Sequence, residues 1–157
     1  MQNIITHLWF DKQAEDAVNF YVSVFKNSKV GDITHYTEVG EKIHKMPAGL
    51  VMTVEFELNG QKFLALNGGP IFRFNESVSL VVPCDSQEEI DEYWEKLSAG
   101  GEKSAQQCGW LKDKYGLSWQ IVPAELGEIM KDPARSEKAM AALMNMKKID
   151  IAALKAA

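Results

Sequence analysis

One ordered pattern constrains this chain more than any other. Apolar residues alternate at period two, recur at helical spacing, alternate again, and the order restarts near residue 77. Residues 3–10, carrying Ile5, Leu8, Trp9 and Phe10, read as a strand that Asp11 closes. Residues 13–25 set Ala14, Ala17, Val18, Tyr21, Val24 and Phe25 on one helical face. Glu15 and Asp16 come early, where the helix dipole favours negative charge. Strand patterns follow at 30–38, 50–58 and 62–66, the last two separated by Asn59-Gly60. Both residues of that pair tolerate positive φ, which predicts a two-residue hairpin between antiparallel neighbours. The polar segment 40–49, with His44, Lys45 and Pro47, reads as the most mobile loop of this half.

The second half reads as strand 77–84, helix 86–99, a break at Gly100-Gly101, then strands 108–112 and 117–122 around a Lys114-Tyr115-Gly116 turn. Ser86 and Glu89 have the spacing of a capping box, and Ile90, Tyr93, Trp94 and Leu97 form the stripe to be buried. From residue 125 onward the character is helical. Ala139, Met140, Leu143, Met144 and Met146 fall on one side, and Ile149, Ile151 and Leu154 continue an apolar tail that should pack on the body or on a second subunit.

At 157 residues with a hydrophobic fraction of 46%, the chain is near the usual size of one domain with a normal core, and has room for one or two compact units but not more. A net charge of -5 argues against nucleic acid as a partner, because phosphate affinity comes from Lys and Arg displacing counterions. Met1 to Ile5 shows neither a signal-peptide pattern nor a spanning segment, so the expectation is a cytoplasmic protein with no membrane partner. A core of this size needs no covalent staple, so Cys84 and Cys108 are expected as reduced thiols.

Several segments in order resemble the PhnB-like family of the vicinal oxygen chelate superfamily, the glyoxalase/bleomycin-resistance/dihydroxybiphenyl dioxygenase group. They are Phe20-Tyr21 with Val24-Phe25, Leu66 to Pro70, Phe72 to Asn75, Cys108 to Asp113, Gly116 to Pro123 and Lys147 to Leu154. The resemblance covers nearly the whole chain. It implies an α+β fold of two βαβββ modules, about 1–70 and 71–123, whose sheets form a curved cup, with a C-terminal helical tail at 124–157 in a single domain. It also implies a homodimer. Similar proteins carry the name 3-demethylubiquinone-9 3-methyltransferase, although the sequence shows no strand followed by a glycine-rich loop of the dinucleotide or S-adenosylmethionine-binding kind.

The resemblance further implies metal ligands on the first, fourth, fifth and eighth strands. If Leu8 and Phe10 face the first helix, then Ile5, His7 and Trp9 face the cup. Ala65 with Asn67, and Ser77 with Ser79, each share a face, and Gln120 stands where a Glu is expected. The ligand positions then read Ile5, Ala65, Ser77 and Gln120. None is a strong donor, so no metal site is assigned and a divalent metal is not favoured as cofactor.

The remaining candidates have two readings each. His7 reads as a hydrogen-bonded pocket histidine before it reads as a ligand. Cys108 reads as a small buried residue, with Lys112 the one near cation to activate a thiolate. Trp9, Trp110 and Trp119 suit either a core or a flat apolar ligand. Asp113 is a turn residue first and a general base second. The expectation is a small-molecule-binding protein with a pocket of His7, Trp9, Asn67, Ser79, Cys108, Trp110 and Gln120. The alternatives are an enzyme of the superfamily (a metal-dependent lyase, isomerase or dioxygenase), the methyltransferase of the family name, or a structural dimer with a vestigial pocket.

Overall fold

Alternation in the first strand sets the architecture. In the computed structural model, which describes residues 4–157, β1 (Thr6–Phe10) buries Leu8 and Phe10 and turns His7 and Trp9 the other way. The chain divides after Arg73 into two compact units.

In the first unit, α1 (Ala14–Val24) follows β1, then β2 (Lys29–His35), a single turn α2 (Glu41–His44), β3 (Val51–Leu58) and β4 (Gln61–Asn67). The sheet order is β1-β4-β3-β2, with β1 parallel to β4 and the other pairs antiparallel. Ala14, Ala17, Val18 and Tyr21 of α1 are fully buried, as are Val54, Phe56, Phe63 and Ala65 of the strands. Tyr21 stacks on Phe56 at 6.4 Å between ring centroids, and Phe56 on Phe63 at 5.1 Å. Each buried Val or Phe among them contributes about 1.5–3 kcal/mol, and each Ala less. The Asn59-Gly60 hairpin forms as expected, with φ of 47° and 81°. The strand expected over 30–38 stops at His35. Beyond it, Tyr36 and the 40–49 segment close on themselves through Tyr36 N to Leu50 O and Gly49 N to Tyr36 O.

In the second unit, β5 (Ser79–Cys84) leads to α3 (Gln87–Ser98), a 3-10 turn at Lys103–Ala105, β6 (Trp110–Lys112) and β7 (Ser118–Pro123). The order β5-β7-β6, with β5 parallel to β7, repeats the β1-β4-β3 arrangement of the first unit. The counterpart of β2 is reduced to one bridge residue, Gln107, opposite Trp110. Cys108 and Gly109 lie between them at φ of 52° and 84°, so the strand expected from residue 108 begins instead at Trp110. The class is α+β, built from two modules of one winding, with helices following the second. The capping box on α3 is present in part: Ser86 Oγ accepts Glu89 N at 3.3 Å, and the Glu89 carboxylate reaches back to Asp85 N at 2.9 Å.

The C-terminal helices α4 (Leu126–Lys131), α5 (Ser136–Leu143) and α6 (Ile151–Ala156) pack on their own unit. Val122, Ile129, Ala139, Leu143, Ile149 and Leu154 form the shared cluster. Met140 and Met144, expected on the buried side, stay about half exposed because Ala139 and Leu143 already fill it.

Neither cysteine is in a disulfide. Burial, with Glu89 and Asp85 nearby, pushes the Cys84 thiol up to about 12. Iodoacetamide at about pH 8 is therefore expected to modify Cys108 in the folded protein and spare Cys84, because only a thiolate within reach reacts. Peptide mapping by mass spectrometry checks this, and equal labelling of both would show that the core around Cys84 opens.

Candidate ligand-binding site

The β1–β4 register decides which side chains leave the core. Leu8 pairs with Ala65 and Phe10 with Asn67, so Ala65 and Asn67 join the α1 face. The opposite, open face carries Trp9, Leu66 and Thr53 in one row. Below it comes a row of His7, Leu64 and Glu55, and then one of Lys62 and Glu57. A cavity of about 250 Å³ lies on this face, with Ile5, His7, Gly31, Glu55, Lys62 and Leu64 among its walls. Gly31 stands against Glu55, where an added Cβ would come within 3.1 Å of the Glu55 Cβ, so the lack of a side chain keeps that end of the cavity clear.

Asn67 is not on the open face, contrary to the expectation. It is buried, its Oδ1 accepts Ala14 N at 2.9 Å and its Nδ2 donates to Val51 O at 3.0 Å, which ties the start of α1 to β3. Trp9 does lie on the open face. Its Nε1 donates to Gly69 O at 2.9 Å, and Phe72 meets its ring edge-on at 5.0 Å. Gly68 backs the indole so closely that any side chain there would strike it.

In the second unit Ser79, Trp110 and Gln120 share one face of their sheet. Trp110 is opposite Gln120 in the register, and Gln120 Nε2 donates to Ser79 Oγ at 2.9 Å. Ser118 stands on the same face, fully buried, with its Oγ without a partner; the strand pattern had not singled it out. Lys112 shares this face and pairs with Glu76 and, at 3.7 Å, with Glu102. The hydrogen bond to Glu76 raises the ammonium and holds the Glu76 carboxyl below its ordinary range.

Two expected site residues point elsewhere. Cys108 sits at a turn tip with its Sγ 4.0 Å from Met144 Sδ and its N bonded to Met146 O at 2.8 Å, so it belongs to the C-terminal packing. Ser77 precedes β5 in a turn made with Asn75, so it is not a strand residue. Asp113 takes the turn reading: it is buried and accepts Tyr115 N, Leu117 N and Trp119 Nε1.

The sequence profile described as 3-demethylubiquinone-9 3-methyltransferase matches residues 2–122. The chain belongs to that family. The Bacillus cereus PhnB protein, which bears that methyltransferase name provisionally, is 37% identical over 77% of this chain and 99% of its own, with a TM-score of 0.66. Protein PA1353 of Pseudomonas aeruginosa is 16% identical over 78% of this chain and 98% of its own, TM-score 0.60. The fosfomycin resistance protein FosX of Listeria monocytogenes is 18% identical over 83% and 98%, TM-score 0.53. The latter two share the fold. No curated protein matches the sequence.

The wider superfamily implies a metal, and neither sheet of this PhnB-like chain by itself presents a donor set that fits one. Ala65 faces the core, which leaves Lys62, Leu64 and Leu66 as the open-face residues of β4. β5 offers Ser79 and Val81, and β7 offers Gln120. Of the side chains named on these four strands His7 alone is a strong ligand, and among the described residues no three His, Cys, Asp or Glu side chains come together as a cation requires.

Proposed function

We propose that this PhnB-like protein binds a small organic molecule on the open face of its first sheet and does so without a catalytic metal. The carrying observation is the cavity itself, whose apolar floor at Leu64 lies between His7 on one side and Glu55 on the other. A concave, partly apolar site with a few convergent polar groups is the usual form of a small-molecule site. In the second unit, described by itself, Ser79, Trp110 and Gln120 set a hydroxyl, an indole and an amide on one face of their own sheet.

The methyltransferase of the family name is the second reading. The β1–α1 connection here is Asp11-Lys12-Gln13 and the β5–α3 connection is Asp85-Ser86, neither of them glycine-rich. Backbone that approaches a nucleotide closely at a strand-to-helix turn needs such glycines. Among the described residues no helix is long and apolar enough to cross a membrane.

A mixture of small organic fragments, followed by amide shifts in nuclear magnetic resonance spectra, tests the first reading. Binders are expected to move the signals of His7, Gly31, Glu55 and Leu64. Leu64→Trp should fill the cavity and weaken such binding at least about tenfold while the fold stays intact, since Leu64 points away from α1. Shifts confined to other surfaces would sink the assignment. A heat of binding for S-adenosylmethionine in calorimetry would favour the methyltransferase instead.

A further inference from the structure

The cavity is lined by charges that cancel in sum and stand apart in space. Its charged walls are Lys29 and Lys62 against Glu55 and Glu57, with His7 beside them. Lys29 and Glu57 satisfy each other at 3.3 Å across β2 and β3. Among the described residues, Glu55 and Lys62 make no ion pair of their own. In the register Glu55 is opposite Leu64 and Lys62 opposite Glu57, so Glu55 and Lys62 are diagonal neighbours. Diagonal positions on one face of an antiparallel pair are about 7 Å apart. Leu64 supplies apolar floor next to that diagonal, and His7 flanks it from β1.

A purely anionic occupant would meet Lys62 and His7 but set its charge against Glu55, and a purely cationic one would have the reverse problem. Glu55, Lys62 and His7 are exposed on this face, so water screens a like-charge contact and its cost is modest, but an occupant with both signs avoids that contact and meets a partner at each end. We infer that the ligand is amphoteric: a compact amino-acid-like molecule whose anionic group lies toward Lys62 and His7, whose ammonium lies toward Glu55, and whose apolar middle rests on Leu64. The inference rests on the small-molecule reading above and narrows it to one chemical class.

The probes are the ω-amino acids 4-aminobutanoate, 5-aminopentanoate and 6-aminohexanoate, compared with hexanoate and hexylamine, on the full chain. Binding is read from amide shifts of Gly31, Glu55, Lys62 and Leu64. The expected result is that one of the amino acids binds at least about tenfold more tightly than either singly charged analogue, with a dependence on chain length that reflects the fixed spacing of the diagonal. Glu55→Gln should reduce that amino acid to the affinity of hexanoate, and Lys62→Gln to that of hexylamine. Both side chains lie on the open face, so neither variant removes core packing.

Equal binding of hexanoate or hexylamine in the unaltered protein overturns the amphoteric class. Perturbation of these residues by other fragments, with no response to any amino acid, also overturns it and leaves the small-molecule reading in place. If neither fragments nor amino acids move these signals, the small-molecule reading itself fails.

Discussion

Replacing Asp113 by alanine is expected to lower the unfolding free energy of its unit by about 3–5 kcal/mol, since each buried donor left without an acceptor costs about 1–3 kcal/mol. Three donors converge on this one carboxylate. Oδ1 accepts Tyr115 N at 2.8 Å and Leu117 N at 3.1 Å, while Oδ2 accepts the buried Trp119 Nε1 at 2.8 Å. The turn between β6 and β7 is further closed by Asp113 N to Leu117 O and Gly116 N to Asp113 O. Gly116, at φ 87°, supplies the backbone shape that a side chain would strain. Asp113→Asn keeps one acceptor for the turn amides and should lose about 1–2 kcal/mol. Urea unfolding followed by Trp fluorescence measures both. A loss below about 1 kcal/mol for the alanine variant would mean that water replaces the carboxylate.

The second large effect is at Asn67. Asn67→Ala is expected to cost about 2–4 kcal/mol, because it strands the Ala14 amide and the Val51 carbonyl inside the first unit. Fragment binding at the open face should be unchanged when measured below the unfolding transition, since the side chain points to α1. The opposite result, weakened binding with unchanged stability, would return Asn67 to the ligand site. Hydrogen exchange at the first turn of α1 gives an independent reading, since the Ala14 amide loses its acceptor.

These two residues also show where sequence reading succeeds and where it stops. Asp113 was legible as a turn residue because it stands between two strand patterns just before a Tyr-Gly pair. Its bond to Trp119 was not, since nothing local says that an indole six positions on will bend back to it. For Asn67 the alternation was read properly and its absolute face was not. Ala65 and Asn67 do share a face, but only the parallel register with Leu8 and Phe10 says that it is the helix face. Cys108 opens the strand-like stretch 108–112 in the sequence, whereas its left-handed backbone and the contact with Met144 place it at a turn against the tail.

What the sequence determined by itself was everything carried by short-range periodicity and turn chemistry. It specified the strand-helix-strand order of both modules, the Asn59-Gly60 hairpin, the Ser86 cap and the division of β1 into a core side and an outer side. These follow from backbone sterics and from apolar residues spaced at two or 3.6, which need no knowledge of partners. Tertiary structure alone decided the membership of the cavity. Glu55, Lys62 and Gly31 are ordinary surface residues of separate strands until the β1-β4-β3-β2 order sets them beside His7 and Leu64. Register is a long-range choice, made by the fit of whole faces, and a shift of one residue would exchange the cavity wall for the core.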